Sequence, residues 1–333
     1  MSIIRTILLI SLMSILIVIA GCGEKAPTYQ LEPSTFRLQM QDAAPEGPFV
    51  RVVDIDVTPQ NEFIIVDLDA PGVFRFASDG KFVNDIYGHG SGNYQGLCSA
   101  TPVDSVLAVN TVGLVEFFSR DGRPLYRHFI SGRGDVQVAG DRKFVINRMY
   151  DSFRSGHCLE TYDENGKLIN AFRTPQCTQE GEEMMDFAFT GFTPENEIVY
   201  IPAVKDSVFI FDFQGNSLKA GRLKTKFRPR KAEDGSPIVL MEDVYADRDG
   251  IFIVRINESV KKEGAVHFDL IEQYDFDLNH VASYTFEKPL TMTVHTDYYS
   301  PWYHRFCHKD NTFYFMISQP YEQFMAFTVN AQD

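Results

Sequence analysis

Tryptophan is nearly absent from this chain: Trp302 is the only one in 333 residues. Basic side chains are scarce as well, with 31 Lys and Arg against 45 Asp and Glu, for a formal charge of −14. Such a surface repels phosphate backbones and anionic lipid, which excludes nucleic acid as a partner. The one basic cluster, Lys219 to Lys231, falls between two repeats and reads as a solvated loop or as a patch for an anionic partner. Long apolar runs are missing everywhere except Ile7 to Ala20, so nothing beyond the N-terminus is long enough to cross a bilayer as a helix. No Gly-x-Ser-x-Gly, no His-Glu-x-x-His and no assembled Ser/His/Asp set is present, so no nucleophile declares itself.

What the chain does have is a repeated phrase. Its clearest copy runs Phe63 to Asp67, Val73 to Phe76, then Asp79-Gly80-Lys81 and Phe82-Val83. Further copies centre on Val106–Val109 with Leu114–Phe118, Phe144–Ile146 with Leu159–Tyr162, and Ile198–Ile201 with Val208–Phe211. The last two centre on Ile251–Val254 with Leu270–Tyr274, and Thr312–Met316 with Phe324–Val329. Apolar alternation in each copy suits strands, and the Asp-Gly or Asn-Gly steps supply the positive φ of a tight hairpin. Gly80, Gly122, Gly166 and Gly215 recur roughly every 45 residues, the length of a four-stranded blade. The spacing predicts an all-β fold, a six-bladed β-propeller spanning 34–333. The sixth copy lacks an outer strand, and Thr35 to Met40 has strand alternation without a partner. This N-terminal segment is therefore expected to close the last blade, since an open edge needs cover.

The N-terminus reads as a targeting segment. Arg5, the apolar run and the end Ile19-Ala20-Gly21-Cys22 describe a secretory signal over residues 1–21. Residues 22–33 read as a tether. Of the other four cysteines, Cys158 and Cys177 flank one hairpin at matching distances and form a candidate disulfide, whereas Cys98 and Cys307 are expected as buried free thiols.

Candidate sites follow from loop lengths. Short turns gather on one face of a propeller, while the long, varied connections gather on the other, where binding residues usually sit. The richest connection, His295 to Arg305, holds Tyr298, Tyr299, Trp302, Tyr303 and Arg305. These rings suit a sugar or a peptide, and equally suit a seam between blades. Arg148, Tyr150 and Arg154, with Asp151, suit a carboxylate or a surface ion-pair cluster, and Tyr94 lies in the first long crossing. Asp54, Asp186 and Asp243 stand near the starts of inner strands. Converging carboxylates can hold Ca²⁺, and can equally face channel water or a neighbouring blade's amides. The spacing of His295, His304 and His308 matches no firm metal pattern.

Ile65-Val-Asp67, Val73-Phe-Arg-Phe76, Asp79-Gly-Lys81 and Ile86-Tyr-Gly88 with Gly90-Ser-Gly92 and Tyr94 resemble the NHL-like and TolB-like six-bladed propellers. Ala20-Gly21-Cys22 resembles a bacterial lipobox, which implies cleavage before Cys22 and lipidation of its thiol. Together these resemble the propeller lipoproteins common in Bacteroidetes. The resemblance implies a monomeric, lipid-anchored protein of the cell envelope, periplasmic or surface-exposed, whose only membrane contact is its lipid. It carries over no catalytic residue. The expected function is a binding module for a glycan, a peptide or a protein. Two alternatives stay open: a Ca²⁺-dependent hydrolase or lyase with channel carboxylates, and a structural scaffold of an envelope complex.

Overall fold

The computed structural model describes residues 26–329 apart from 39–48, 50, 59, 70–71, 87–96, 104, 112, 131–133, 149–155, 174–187, 204, 224–240, 257–264, 294–304 and 319–321. Among the described residues every regular element is a strand. The first strand is β1 (Thr28–Pro33). Next come β2 (Val52–Val57), β3 (Phe63–Asp67), β4 (Gly72–Phe76) and β5 (Phe82–Asp85), an antiparallel sheet in sequence order. The pattern repeats in β6 (Leu97–Val103), β7 (Val106–Thr111), β8 (Leu114–Ser119) and β9 (Pro124–Phe129). It repeats again in β10 (Asp135–Val138), β11 (Phe144–Asn147), β12 (Leu159–Tyr162) and β13 (Leu168–Phe172). A fourth sheet holds β14 (Ala188–Phe192), β15 (Ile198–Pro202), β16 (Ser207–Phe211) and β17 (Ser217–Arg222).

The remaining strands are β18 (Met241–Asp247), β19 (Gly250–Ile256), β20 (Ala265–Tyr274), β21 (His280–Thr293), β22 (Phe306–Lys309), β23 (Thr312–Ser318) and β24 (Glu322–Val329). They share one eight-stranded sheet, ordered β18-β19-β20-β21-β1-β24-β23-β22. Here β1 pairs antiparallel with β24 and parallel with β21.

First strands of successive groups touch: β22 with β2, β2 with β6, β6 with β10, β14 with β18, and β18 with β22. Thr190 Oγ1 donates to Asp135 Oδ2 at 3.2 Å and Asn147 Nδ2 to the Ala188 carbonyl at 2.8 Å, which joins β10 and β11 to β14. The inner strands therefore close a ring. The arrangement is all-β and propeller-like, with blades packed face to face. Alternation along each strand sends one set of side chains to each neighbour: Phe144 and Ile146 pack toward the second sheet, and Val145 toward the fourth.

The expected hairpins form, with a particular geometry. Gly80, Gly122, Gly166 and Gly215 all have φ between 75° and 82°. The turns open three residues before the glycine, at Ala77, Ser119, Asp163 and Asp212; Asp163 Oδ1, for example, accepts the N–H groups of Asn165 and Lys167. Each turn leaves a bulge, seen as a register shift at Thr161/Tyr162 and at Ile210/Phe211. In the fifth copy Leu278 takes the glycine's place at φ 63°, and the turn closes the same way through Asp275 and Asn279.

The closing strand differs from expectation. It is β1, Thr28–Pro33, so part of the expected tether is strand; of the expected Thr35 to Met40, residues 35–38 are not strand and 39–40 lie outside the described residues. Only Leu31 of β1 is buried, which is why hydrophobic alternation did not reveal it. Two flanking strand edges select it instead, because its backbone satisfies β21 on one side and β24 on the other. Phe36 becomes a plug, its ring 5.1 Å from Phe63, 5.8 Å from Phe324 and 6.2 Å from Tyr314.

Candidate functional site

The starts and the ends of the inner strands differ in chemistry. At the starts, polar side chains tie one blade to the next. Asp54 Oδ2 accepts the N–H of Ala100 at 2.8 Å, and Ser99 Oγ donates to the Val136 carbonyl at 3.4 Å. Asp243 Oδ2 accepts the N–H groups of Arg305 at 2.7 Å and Phe306 at 3.0 Å. Asp54 and Asp243 are thus buried and facing neighbouring backbone amides, the arrangement expected of inter-blade ties. Asp135, which sequence reasoning passed over, belongs to the same belt. Asp186 lies outside the described residues. Arg305 and Asp243 also line a narrow crevice with Phe306, Met316 and Ile317.

Of the other expected site residues, Arg148 is buried and ion-paired with Glu160. Glu160 further accepts from Tyr162 Oη at 2.6 Å and lies 2.6 Å from His157 Nε2. Burial alone raises the Glu160 pKa, but the hydrogen bonds from Arg148, His157 and Tyr162 outweigh it, and the carboxyl sits below its ordinary range. The fifth copy repeats this cluster: Arg255 Nε donates to Glu272 at 2.7 Å and Tyr274 Oη to Glu272 at 3.1 Å, while Asp206 adds a second acid 3.2 Å from Arg255. Two acids now share one guanidinium. Burial, reinforced by the Glu272 charge and opposed by Arg255, pushes Asp206 upward. The shared Glu-x-Tyr of Leu159–Tyr162 and Ile271–Tyr274 was the sequence signal for both clusters.

Tyr94, Tyr150, Arg154, Tyr298, Tyr299, Trp302 and Tyr303 lie outside the described residues, as do Cys22 and Cys177. Cys158 is buried and disulfide-bonded. Cys307 is a buried free thiol, and burial, then the charges of nearby aspartates, holds its pKa well above the usual value. A thiol so held is unreactive.

At the ends of the inner strands, on the short-turn face, lies a cleft of about 340 Å³. Asp56 of β2, Tyr245 and Asp247 of β18, and His308 and Lys309 of β22 line it, with Asp249 and Asp310 from the adjoining turns. His308 Nδ1 and Asp247 Oδ2 are 2.7 Å apart, with the imidazole 4.1 Å from the Phe252 ring. Tyr245 Oη donates to Asp56 at 2.9 Å, and burial raises its pKa well above the ordinary value. Arg248 pairs with Asp310, and Lys309 Nζ donates to the Thr58 carbonyl. Asp247, Asp249 and His308 each offer one ligand atom, all within 4.8 Å of one another. Sequence reasoning missed this cluster because its members come from two hairpins about 60 residues apart that only ring closure brings together.

No family model and no curated protein sequence matches the chain. Solved structures match its fold. A Bacteroides fragilis protein described as exported aligns over 92% of this chain and 99% of its own, at 14% identity and a TM-score of 0.56. A DUF4221-family member from Bacteroides vulgatus covers 92% and 98%, at 10% identity and 0.59. A streptogramin B lyase covers 90% and 97%, at 11% identity and 0.50. At these identities the likeness concerns the β-propeller fold alone.

Proposed function

We propose that this chain is a lipid-anchored, extracytoplasmic six-bladed propeller of the NHL-like and TolB-like kind, acting as a binding module on its long-loop face. The observation that carries this reading is the contrast between the two faces. On one, turns such as Asp163–Lys167 and Asp212–Asn216 are short and close on themselves through backbone and Asp side-chain hydrogen bonds. On the other fall the long connections, including 86–96, 148–158, 223–240 and 294–305. The ring of six inner strands supports the blade count, and the fold likeness to an exported Bacteroides protein accords with the lipobox at Cys22. Rigid blades carrying variable loops suit recognition of a glycan, a peptide or a protein.

The test is a binding screen of the body against oligosaccharides and short peptides, repeated with Trp302→Ala and Tyr299→Ala. Loss of an aromatic contact is expected to weaken binding by about 1–3 kcal/mol, roughly 5- to 150-fold. Unchanged affinity in both variants for every ligand found would refute the aromatic loop as the site.

A second reading, a cation-dependent enzyme, is favoured by one cluster, Asp247, Asp249 and His308. Its check is thermal: a Ca²⁺- or Zn²⁺-induced rise in Tm that Asp249→Asn abolishes. A melting curve indifferent to cations and to EDTA would remove this reading.

A further inference from the structure

The direction of β1 constrains how the body sits on a membrane. β1 runs parallel to β21, with Thr28 opposite Ser283 and Leu31 opposite Phe286. β21 begins at His280, immediately after the short Asp275–Asn279 turn. The chain therefore enters the sheet from the short-turn face and runs toward the long-loop face. The entry is pinned by the Ser283 N–H, which donates to the Pro27 carbonyl at 2.9 Å. From Cys22 to Pro27 the backbone spans at most roughly 18 Å even when fully extended. A lipid on Cys22 would thus hold this edge of the short-turn face close to the headgroups.

One attachment point fixes height but not tilt. A second feature bears on tilt. Val83, Leu125, Leu168, Leu218 and Val281 are exposed, and each stands just after a short turn, at the start of the outer strand of a different blade. They form an interrupted apolar rim around the same face, while the most exposed apolar ring, Phe129 at the far end of β9, lies under the Arg127 guanidinium. Three of the intervening charge pairs are matched, Lys81 on Asp79, Arg123 on Asp121 and Lys219 on Asp277, which offsets part of the repulsion that the net charge implies.

Resting on the reading that Cys22 carries lipid, we propose that the short-turn face lies against the bilayer surface and the long-loop face points away from it. The partner of the short-turn face is then a lipid surface, and the long-loop face stays free for a ligand. The cleft around Asp247 and His308 opens toward the membrane.

The test uses the full chain, processed in cells and reconstituted into vesicles of phosphatidylcholine and phosphatidylethanolamine. A photocrosslinking p-benzoylphenylalanine replaces Glu164 or Gln214 on the short-turn face, or Asp69 or Lys205 on the opposite face. All four are exposed turn residues. Intact mass reports both the acyl modification and any lipid adduct. Adducts at Glu164 and Gln214, with Asp69 and Lys205 at background, are expected. Adducts favouring Asp69 and Lys205, or background levels at all four in lipidated protein, would overturn the orientation. A chain without acyl mass would instead refute the anchor, and the orientation with it.

Discussion

Glu160 and Asp206 are both buried beside a guanidinium, yet they shift in opposite directions: burial raises both, and the hydrogen bonds from Arg148, His157 and Tyr162 outweigh it at Glu160, whereas Arg255, opposed by the Glu272 charge, does not outweigh it at Asp206. Glu160 pairs with Arg148, and its pKa is lowered. Its pairing therefore stabilises the fold above the unfolded-state value near 4.5 and is lost as pH falls through the lower folded value. Asp206 shares Arg255 with Glu272 and is raised. The folded chain holds that proton more tightly than the unfolded chain. Its contribution is present below the unfolded value near 3.8 and is lost as pH rises through the raised folded value. Urea midpoints measured from about pH 3 to pH 8 should separate the two. Glu160→Gln is expected to flatten the loss of stability on acidification, and Asp206→Asn to remove a loss on going toward neutral pH. Parallel pH profiles for the two variants would show that the clusters are not electrostatically opposed.

At the scale of elements, the inner strands are held by more than side-chain packing. Each lies at the edge of its own sheet, and inner-strand carboxylates satisfy backbone groups of the next blade. Asp243 serves two consecutive N–H groups at the entrance to β22. Asp243→Ala leaves a buried and a part-buried donor without that acceptor, a loss of about 2–4 kcal/mol in chemical denaturation. A change below about 0.5 kcal/mol would mean that water replaces the carboxylate without cost. The turns illustrate how local chemistry tolerates substitution: Leu278 adopts the left-handed conformation that glycine takes elsewhere, while its side chain is buried in the core beside Tyr274. Burial of an apolar side chain offsets the backbone strain there.

For the whole molecule, closure rests on β1. It joins the four strands β18–β21 to the three strands β22–β24 in one sheet and fills the outer place beside β24 with residues from the opposite end of the chain. Leu31 is the buried anchor of that strand, packed with Phe286, Phe315 and Phe327 among others in the largest aromatic cluster. Leu31→Ala is expected to cost about 2–4 kcal/mol, a visible drop in Tm for the entire domain rather than local fraying. A loss confined to proteolytic release of the N-terminus, with Tm unchanged, would show that the ring holds without this strand.

The propeller was legible from residues 63–83 and their copies because alternation and turn glycines are local properties, written within a few residues of where they act. The need for a strand from the N-terminus was legible for the same reason: the sixth copy ends one strand short. Which residues supply that strand was not. Thr28–Pro33 is chosen by two waiting sheet edges, and its exposed side chains carry no hydrophobic signature. Asp54 and Asp243 were visible as acids, but whether they face a channel ion or a neighbour's amides depends on blade spacing. Asp247 and His308 meet only because β18 and β22 adjoin in the closed ring. Sequence alone therefore determined the strands, the turns and their repetition, since these follow from short-range stereochemistry and periodic burial. Tertiary structure decided the closing strand, the inter-blade ties and the cleft, since each depends on distances between residues that the chain itself keeps far apart.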